Sequence, residues 1–420
     1  MRLALYQLDM AITALRAVQQ LKGPADGVLR NFFRENNKLG VNDRTFIADT
    51  VFGVLRHFFS LKYITGTTIP RPLILAYLAK FRGINLRELK PFITEAEIKQ
   101  LVKTKEVELG SLPSTIRSEF PEWLVEKIQA KMSDTDILTL GLSFQKQASL
   151  DLRVNTLIAN RNDVLTRLSE DGIDASATCY SPIGIRLVRK STIQSHEMFI
   201  AGKIEIQDEG SQLLGYLLQP KRGEIVVDFC AGAGGKALMM GALMGSKGRI
   251  YAFDVSEKRL NRLKPRLKRS GLSNLFPRWI SNENDVKVKR LAGKVDRVLV
   301  DAPCSGLGTL RRNPDIKLRQ TPESIEEAKR SQEAILASSA KLLKPGGRLV
   351  YATCSFLPEE NQEIIENFLA AHTEFTLLNC AELFMQQKIP LDTGMFLQLY
   401  PGEHNTDSFF AAALTLAKND

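Results

Sequence analysis

Four short apolar runs, at residues 225–229, 250–253, 298–300 and 349–352, alternate with helix-like stretches through the second half of the chain. An apolar run of this length reads as a strand buried on both faces, and strands alternating with helices build a mostly parallel, doubly wound, Rossmann-like α/β sheet. That alternation limits the fold more than any other feature, and it also limits where chemistry can sit. In open sheets of this kind, ligands bind at the carboxyl ends of the strands. The residues that follow each run are therefore the first candidates.

The first run leads into VVDFCAGAGGKA, residues 226–237, where Gly232, Gly234 and Gly235 remove side chains from a tight, ligand-facing turn. The second ends at Asp254, roughly 20 residues on, a spacing that suits hydrogen bonds to ribose hydroxyls. Both features point to a nucleoside-containing cofactor. The loop alone leaves a nicotinamide dinucleotide open, because Gly232, Gly234 and Ala237 also fit G-x-G-x-x-A. A P-loop fits less well, since Ala237 rather than Ser or Thr follows Lys236. The third run ends in Asp301-Ala302-Pro303-Cys304. The fourth, after a Lys344-Pro345-Gly346-Gly347 turn, ends in Thr353-Cys354-Ser355.

A single free cysteine is more often a buried filler than a reagent. Two at strand ends of one sheet, one of them beside a carboxylate, favour chemistry. Carbon 5 of cytosine is a poor nucleophile. A thiolate that adds at carbon 6 makes carbon 5 an enamine carbon able to attack a sulfonium methyl, after which a base removes the carbon 5 proton and the thiol leaves. Asp301 is placed to face the N3 and amino edge of such a ring. The residues alone do not say which cysteine attacks.

Ahead of the sheet, residues 1–145 read as helical and 146–206 as a small α+β module, leaving 207–420 for the catalytic domain. A helix is expected from Asn42-Asp43 to about Ser60, with Phe46, Ile47, Val51, Val54 and Leu55 on one face, and others at 71–79, 95–103 and 121–131. Leu5, Leu8, Ile12 and Leu15 have helical spacing around Asp9, which reads as an amphipathic helix rather than a signal peptide. No run approaches the roughly 18 apolar residues of a membrane span, so a cytoplasmic address is expected; a monomer is expected as well, though no residue pattern sets the oligomeric state. Five cysteines without CxxC spacing, and only 4 His, predict neither a disulfide framework nor a metal site. An excess of 57 Lys+Arg over 47 Asp+Glu favours an anionic partner, nucleic acid first.

DFCAGAGGK, Asp254 within FDVSEKRL, DAPCSGLGTLRRNPD, YATCSFLPEEN and the C-terminal LQLYPGEHNTDSFF together resemble the RsmB/Sun family of RNA cytosine-5 methyltransferases, over residues 207–417. The paired PC and TC tripeptides are the specific part of the match. Residues 40–56 resemble the NusB-like helical domain fused to bacterial members, and LDLRVNT the RNA-engaging segment ahead of their catalytic domain. The resemblance implies S-adenosylmethionine as cofactor and RNA as partner, with 16S ribosomal RNA expected and transfer RNA the alternative. It implies Cys354 as nucleophile, Cys304 as the residue that helps release product, and Asp301 as the third catalytic group. Cofactor contacts would come from Cys230, Ala231, Gly232, Ala233, Gly234, Gly235, Lys236, Asp254 and Asp301. Family members place an acid about where Asn282 falls, so the adenine contact is expected from Asn282, Glu283 or Asp285. Ala237 stands where Thr is common, a tolerated packing change. A DNA methyltransferase would attack with the PC cysteine, and a non-catalytic assembly factor would have lost groups that are all present here.

Lys258, Arg259, Arg262, Lys264, Arg266, Lys268 and Arg269 form the densest basic run, with Pro265 expected to interrupt any helix through it. That run reads at least as well as a solvated face as an RNA contact. Arg311, Arg312 and Lys317, just after Cys304, are expected to touch phosphates at the mouth of the site. The target cytosine is expected to be extruded into a one-base pocket.

Overall fold

The computed structural model describes residues 4–189 and 192–418. The chain forms two compact units, Met1–Gln147 with Thr309–Pro322, and Ala148–Gly308 with Glu323–Asp420.

The first unit is helical. Its opening helix, Leu5–Val18, buries Leu8, Ile12 and Leu15 but leaves Leu5 exposed. The helix expected from Asn42 runs Val41–Arg56 and stops short of Ser60, because a second helix, Phe58–Thr65, starts after His57. Pro70–Lys80, Glu95–Glu106 and Glu122–Gln129 match the remaining expected helices to within a few residues. Thr94 begins Glu95–Glu106 as a capping box, its hydroxyl accepting from Glu97 N–H while the Glu97 carboxylate accepts from Thr94 N–H. Thr309–Pro322 completes this unit. Leu318 packs on its apolar core, and Asp315 accepts a hydrogen bond from Ala25 N–H. Lys317, only 4% exposed, donates to Glu119 at 2.9 Å and to the Arg56 carbonyl at 2.9 Å. Arg311 is 3% exposed. The expectation that Arg311 and Lys317 touch phosphate is therefore corrected: both are buried, and Lys317 is held there by the Glu119 carboxylate.

The second unit opens with a four-stranded antiparallel sheet of β1 (Leu150–Val154), β2 (Ala175–Ala177), β3 (Gly184–Leu187) and β4 (Ile204–Ile206), in the order β2-β3-β1-β4. Helix Arg161–Glu170 covers it through Val164 and Leu168. The large sheet follows, with β5 (Ile225–Asp228), β6 (Arg249–Asp254), β7 (Leu275–Trp279), β8 (Val295–Asp301) and β9 (Leu343–Thr353) all parallel. Three antiparallel strands close one side: β10 (Phe375–Leu378), β11 (Leu397–Leu399) and β12 (Phe409–Leu416). The order is β10-β12-β9-β8-β5-β6-β7, with β11 beside β12.

Successive residues on a strand face opposite sides, and both sides here are apolar. Val226, Ile250, Leu299 and Val350 enter one core, whereas Val227, Phe253, Val298 and Leu349 enter the other. Two details depart from the sequence reading. Lys344-Pro345-Gly346-Gly347 lies inside β9, as a register shift against β8, rather than ahead of the strand. Pro265 sits within an unbroken helix, Glu257–Ser270, on its exposed side, where water can take up the carbonyl that lacks a partner.

Candidate active site

The carboxyl ends of β5, β6, β8 and β9 open into one cleft of ≈ 720 Å³. Cys230, Ala231, Gly232, Ala233, Gly235, Lys236, Asp254, Asn282, Asp301, Cys304 and Cys354 all line it. Gly234 does not. It caps helix Gly235–Leu243 with φ +79°, and a Cβ there would meet Leu263 Cδ1 at 2.1 Å. Its role is to let the helix pack, a demand only glycine meets at such a φ.

One end of the cleft is built by backbone. Asp254 Oδ2 accepts from Gly232 N–H at 2.7 Å and Oδ1 from Ser256 N–H at 2.6 Å. The carboxylate thus ties the glycine loop to the end of β6 and keeps lone pairs for a ligand hydroxyl. A Cβ on Gly232 would meet nothing within 4 Å, so the loop faces open space. Beyond it, Asn282 and Glu283 line the wall. Asp285 is not among the lining residues. It caps the next helical turn, accepting from Lys287 N–H and Ser281 N–H, bonds that hold its carboxyl below the usual range.

The other end is built by side chains. Lys236 Nζ donates to Asp301 Oδ2 at 2.7 Å and lies 5.8 Å from the centre of the Phe409 ring. Burial works against the Lys236 ammonium, but the Asp301 carboxylate more than offsets this, and the lysine keeps its proton. Cys304 Sγ and Cys354 Sγ are 3.4 Å apart. The Cys304 thiol is pushed well above its ordinary value, first by its hydrogen bond to Cys354 and then by burial. Cys230 is likewise pushed up by burial.

Several residues of the site had no assignment from sequence. Ile206, Gln207 and Ser211 line the cleft from β4 and the following helix, as do Ser331 and Ile335 from helix Pro322–Ala340. Asp228 stands inside the glycine motif. It is 1% exposed, and among the described residues neither carboxylate oxygen has a hydrogen-bond partner within normal distance. Burial, with Asp301 nearby, raises it to about 7. A strand-ending carboxylate was visible in the sequence, but its burial was not. The basic helix divides by face: Arg266 and Arg269 pair with Glu205, whereas Lys258, Arg259, Arg262, Lys264 and Lys268 are exposed.

Two family models match the chain: the ferredoxin-like domain of RsmF/B-like methyltransferases over residues 120–194, and 16S rRNA methyltransferase RsmB/F over residues 215–415. A "Probable ribosomal RNA small subunit methyltransferase B" from Synechocystis sp. is 36% identical over 324 residues, 77% of this chain and 71% of the relative. A ribosomal RNA small subunit methyltransferase B from Photorhabdus laumondii is 30% identical over 410 residues, 89% and 90% of the two chains. The crystal structure of PH0851 superposes with a TM-score of 0.80 at 27% identity, covering 99% of each chain. These likenesses extend through the helical half as well as the sheet that carries the two cysteines, and on them the chain belongs to the RsmB/F family of 16S rRNA methyltransferases.

Proposed function

We propose that this protein transfers a methyl group from S-adenosylmethionine to carbon 5 of a cytosine in 16S ribosomal RNA, with Cys354 as covalent nucleophile. The observation that carries the reading is the pair of sulfurs 3.4 Å apart, in the same cleft as the Lys236–Asp301 pair. The donor end suits a nucleoside: an open glycine cradle and a fixed carboxylate, Asp254, with Asn282 and Glu283 beyond it. When bound, S-adenosylmethionine supplies an electrophilic methyl.

Everything else is supplied by the chain. Cys354, as thiolate, forms a bond to carbon 6 and moves electron density onto the ring. The Lys236 ammonium takes up that negative charge, while Asp301 accepts from the cytosine amino group. Cys304 is disfavoured as an anion first of all by its bond to Cys354. Once Cys354 is consumed in the carbon–sulfur bond, that cause disappears. Cys304 is then the group beside the adduct that takes the carbon 5 proton, and the bonding electrons return to Cys354 as the base leaves. The NusB-like helical half and the small antiparallel module would engage the RNA.

The test is methyl transfer from labelled S-adenosylmethionine to small-subunit ribosomal RNA, transfer RNA and DNA, with bisulfite sequencing of the product. The reading expects a single protected cytosine in the ribosomal RNA. Labelling confined to transfer RNA or DNA would overturn the substrate, and label outside carbon 5 the chemistry.

A further inference from the structure

The two sulfurs belong to loops fifty residues apart in sequence, and nothing in either tripeptide fixes the gap between them. A buried polar network does. Glu360 is 0% exposed and accepts from Ser305 N–H at 2.8 Å, Ser305 Oγ–H at 2.5 Å and Gln332 Nε2–H at 3.0 Å. Gln332 also donates to the Pro303 carbonyl at 3.0 Å. The carboxylate thus holds the loop directly after Cys304, at Ser305, and through Gln332 before it, at Pro303. Its neighbour Asn361 grips the other loop, taking the Thr353 hydroxyl at 2.5 Å and donating to the Ser355 carbonyl at 3.0 Å, on both sides of Cys354. Ser305 Oγ lies 3.2 Å from Ser355 Oγ, which joins the two grips, and the Tyr351 hydroxyl donates to the Glu360 carbonyl at 2.7 Å.

We propose that Glu360 and Asn361 are positioning residues that set the Cys304–Cys354 separation, with Glu360 acting through Cys304 on release of the methylated base. The assignment rests on the covalent reading given above. Two of the three donors that Glu360 holds belong to Ser305, the residue after Cys304. Here the loop carries the residue that must reach the adduct. A second effect follows from charge, since the Glu360 carboxylate is among the groups that disfavour the Cys304 anion.

The test uses the full chain with ribosomal RNA and S-adenosylmethionine, and reads the adduct as a shifted band on a denaturing gel. Glu360→Gln keeps shape and removes charge. It should lower kcat on the order of 10–100-fold at unchanged KM for RNA and unchanged S-adenosylhomocysteine affinity, with the adduct accumulating. The limb of the kcat–pH profile that belongs to Cys304 should move to lower pH. In a Cys304→Ala background, expected on that reading to trap adduct by itself, Glu360→Gln should add nothing, because its action passes through that thiol. If Glu360→Gln fails to fold, Ser305→Ala, which removes one of the three donors, reads the same partition. Unchanged adduct level and pH limb in a folded variant, or a further loss in the Cys304→Ala background, would overturn the proposal. No adduct from either the wild type or Cys304→Ala would instead sink the covalent reading beneath it.

Discussion

The two ends of the cleft are made by different means. At the donor end, one carboxylate at the end of β6 holds two backbone N–H groups, one of them in the glycine loop 22 residues earlier, and glycine supplies the room. At the sulfur end, groups from the loops after β8 and β9, from helix Pro322–Ala340 and from Glu360 and Asn361 meet in a buried network. A backbone-built site is specified by local turn chemistry and tolerates changes elsewhere. A side-chain-built site is specified by packing, and every partner lost leaves another buried group unsatisfied.

Breaking the sulfur end should give the largest effect. Cys354→Ala is expected to abolish both methyl transfer and the RNA adduct, while S-adenosylhomocysteine binding by calorimetry stays at the wild-type value. Wild-type turnover in that variant would remove the nucleophile from the scheme. Breaking the donor end should act on binding instead. Asp254→Ala frees the glycine loop and removes hydrogen bonds to a charged acceptor, worth about 1.5–3 kcal/mol, so S-adenosylhomocysteine affinity should fall ~10–100-fold. An equal fall for Cys354→Ala would erase the contrast between the ends.

Gly234→Ala sharpens the same contrast, since the residue supports the donor end without lining it. A positive φ and overlap with Leu263 should cost about 1–3 kcal/mol in denaturant unfolding. The smallest effect, read per pH unit, belongs to Asp228, between the two ends. Its folded value, about 7, lies above the ordinary 3.8. Folding therefore favours the protonated form, and this contribution is present at low pH and lost as pH rises from about 4 to 7. Stability of the ligand-free protein should fall across that window by less than about 1.4 kcal/mol per pH unit, and Asp228→Asn should flatten the slope. A slope unchanged by the substitution would assign the titration to another group.

The fold was legible where the signal is local. Apolar runs of strand length, glycine at a tight turn and capping residues at helix starts are properties of a few consecutive residues. The parallel strands β5, β6, β8 and β9 lie where their runs predict, and the helix starts near Asn42 and Glu95 fall within a residue or two. Pro265 misled for a physical reason: proline ends a helix when the lost bond is buried, and here it faces water. Arg311 and Lys317 misled for another. Their charge suggested phosphate, whereas Lys317 is neutralised by Glu119, nearly two hundred residues away in the chain.

The sequence by itself determined which atoms are available: a glycine cradle, a carboxylate at 254, a carboxylate and cysteine after β8, a second cysteine after β9. Only the tertiary structure decided that the two sulfurs stand 3.4 Å apart, that Asp285 turns away to cap a helix while Asn282 and Glu283 face the cleft, and that Glu360 and Asn361 clasp the two loops. The reason is one of range. Turn and strand preferences act between near neighbours, whereas the distance between side chains from separate strands is set by the packing and hydrogen bonding of everything buried between them.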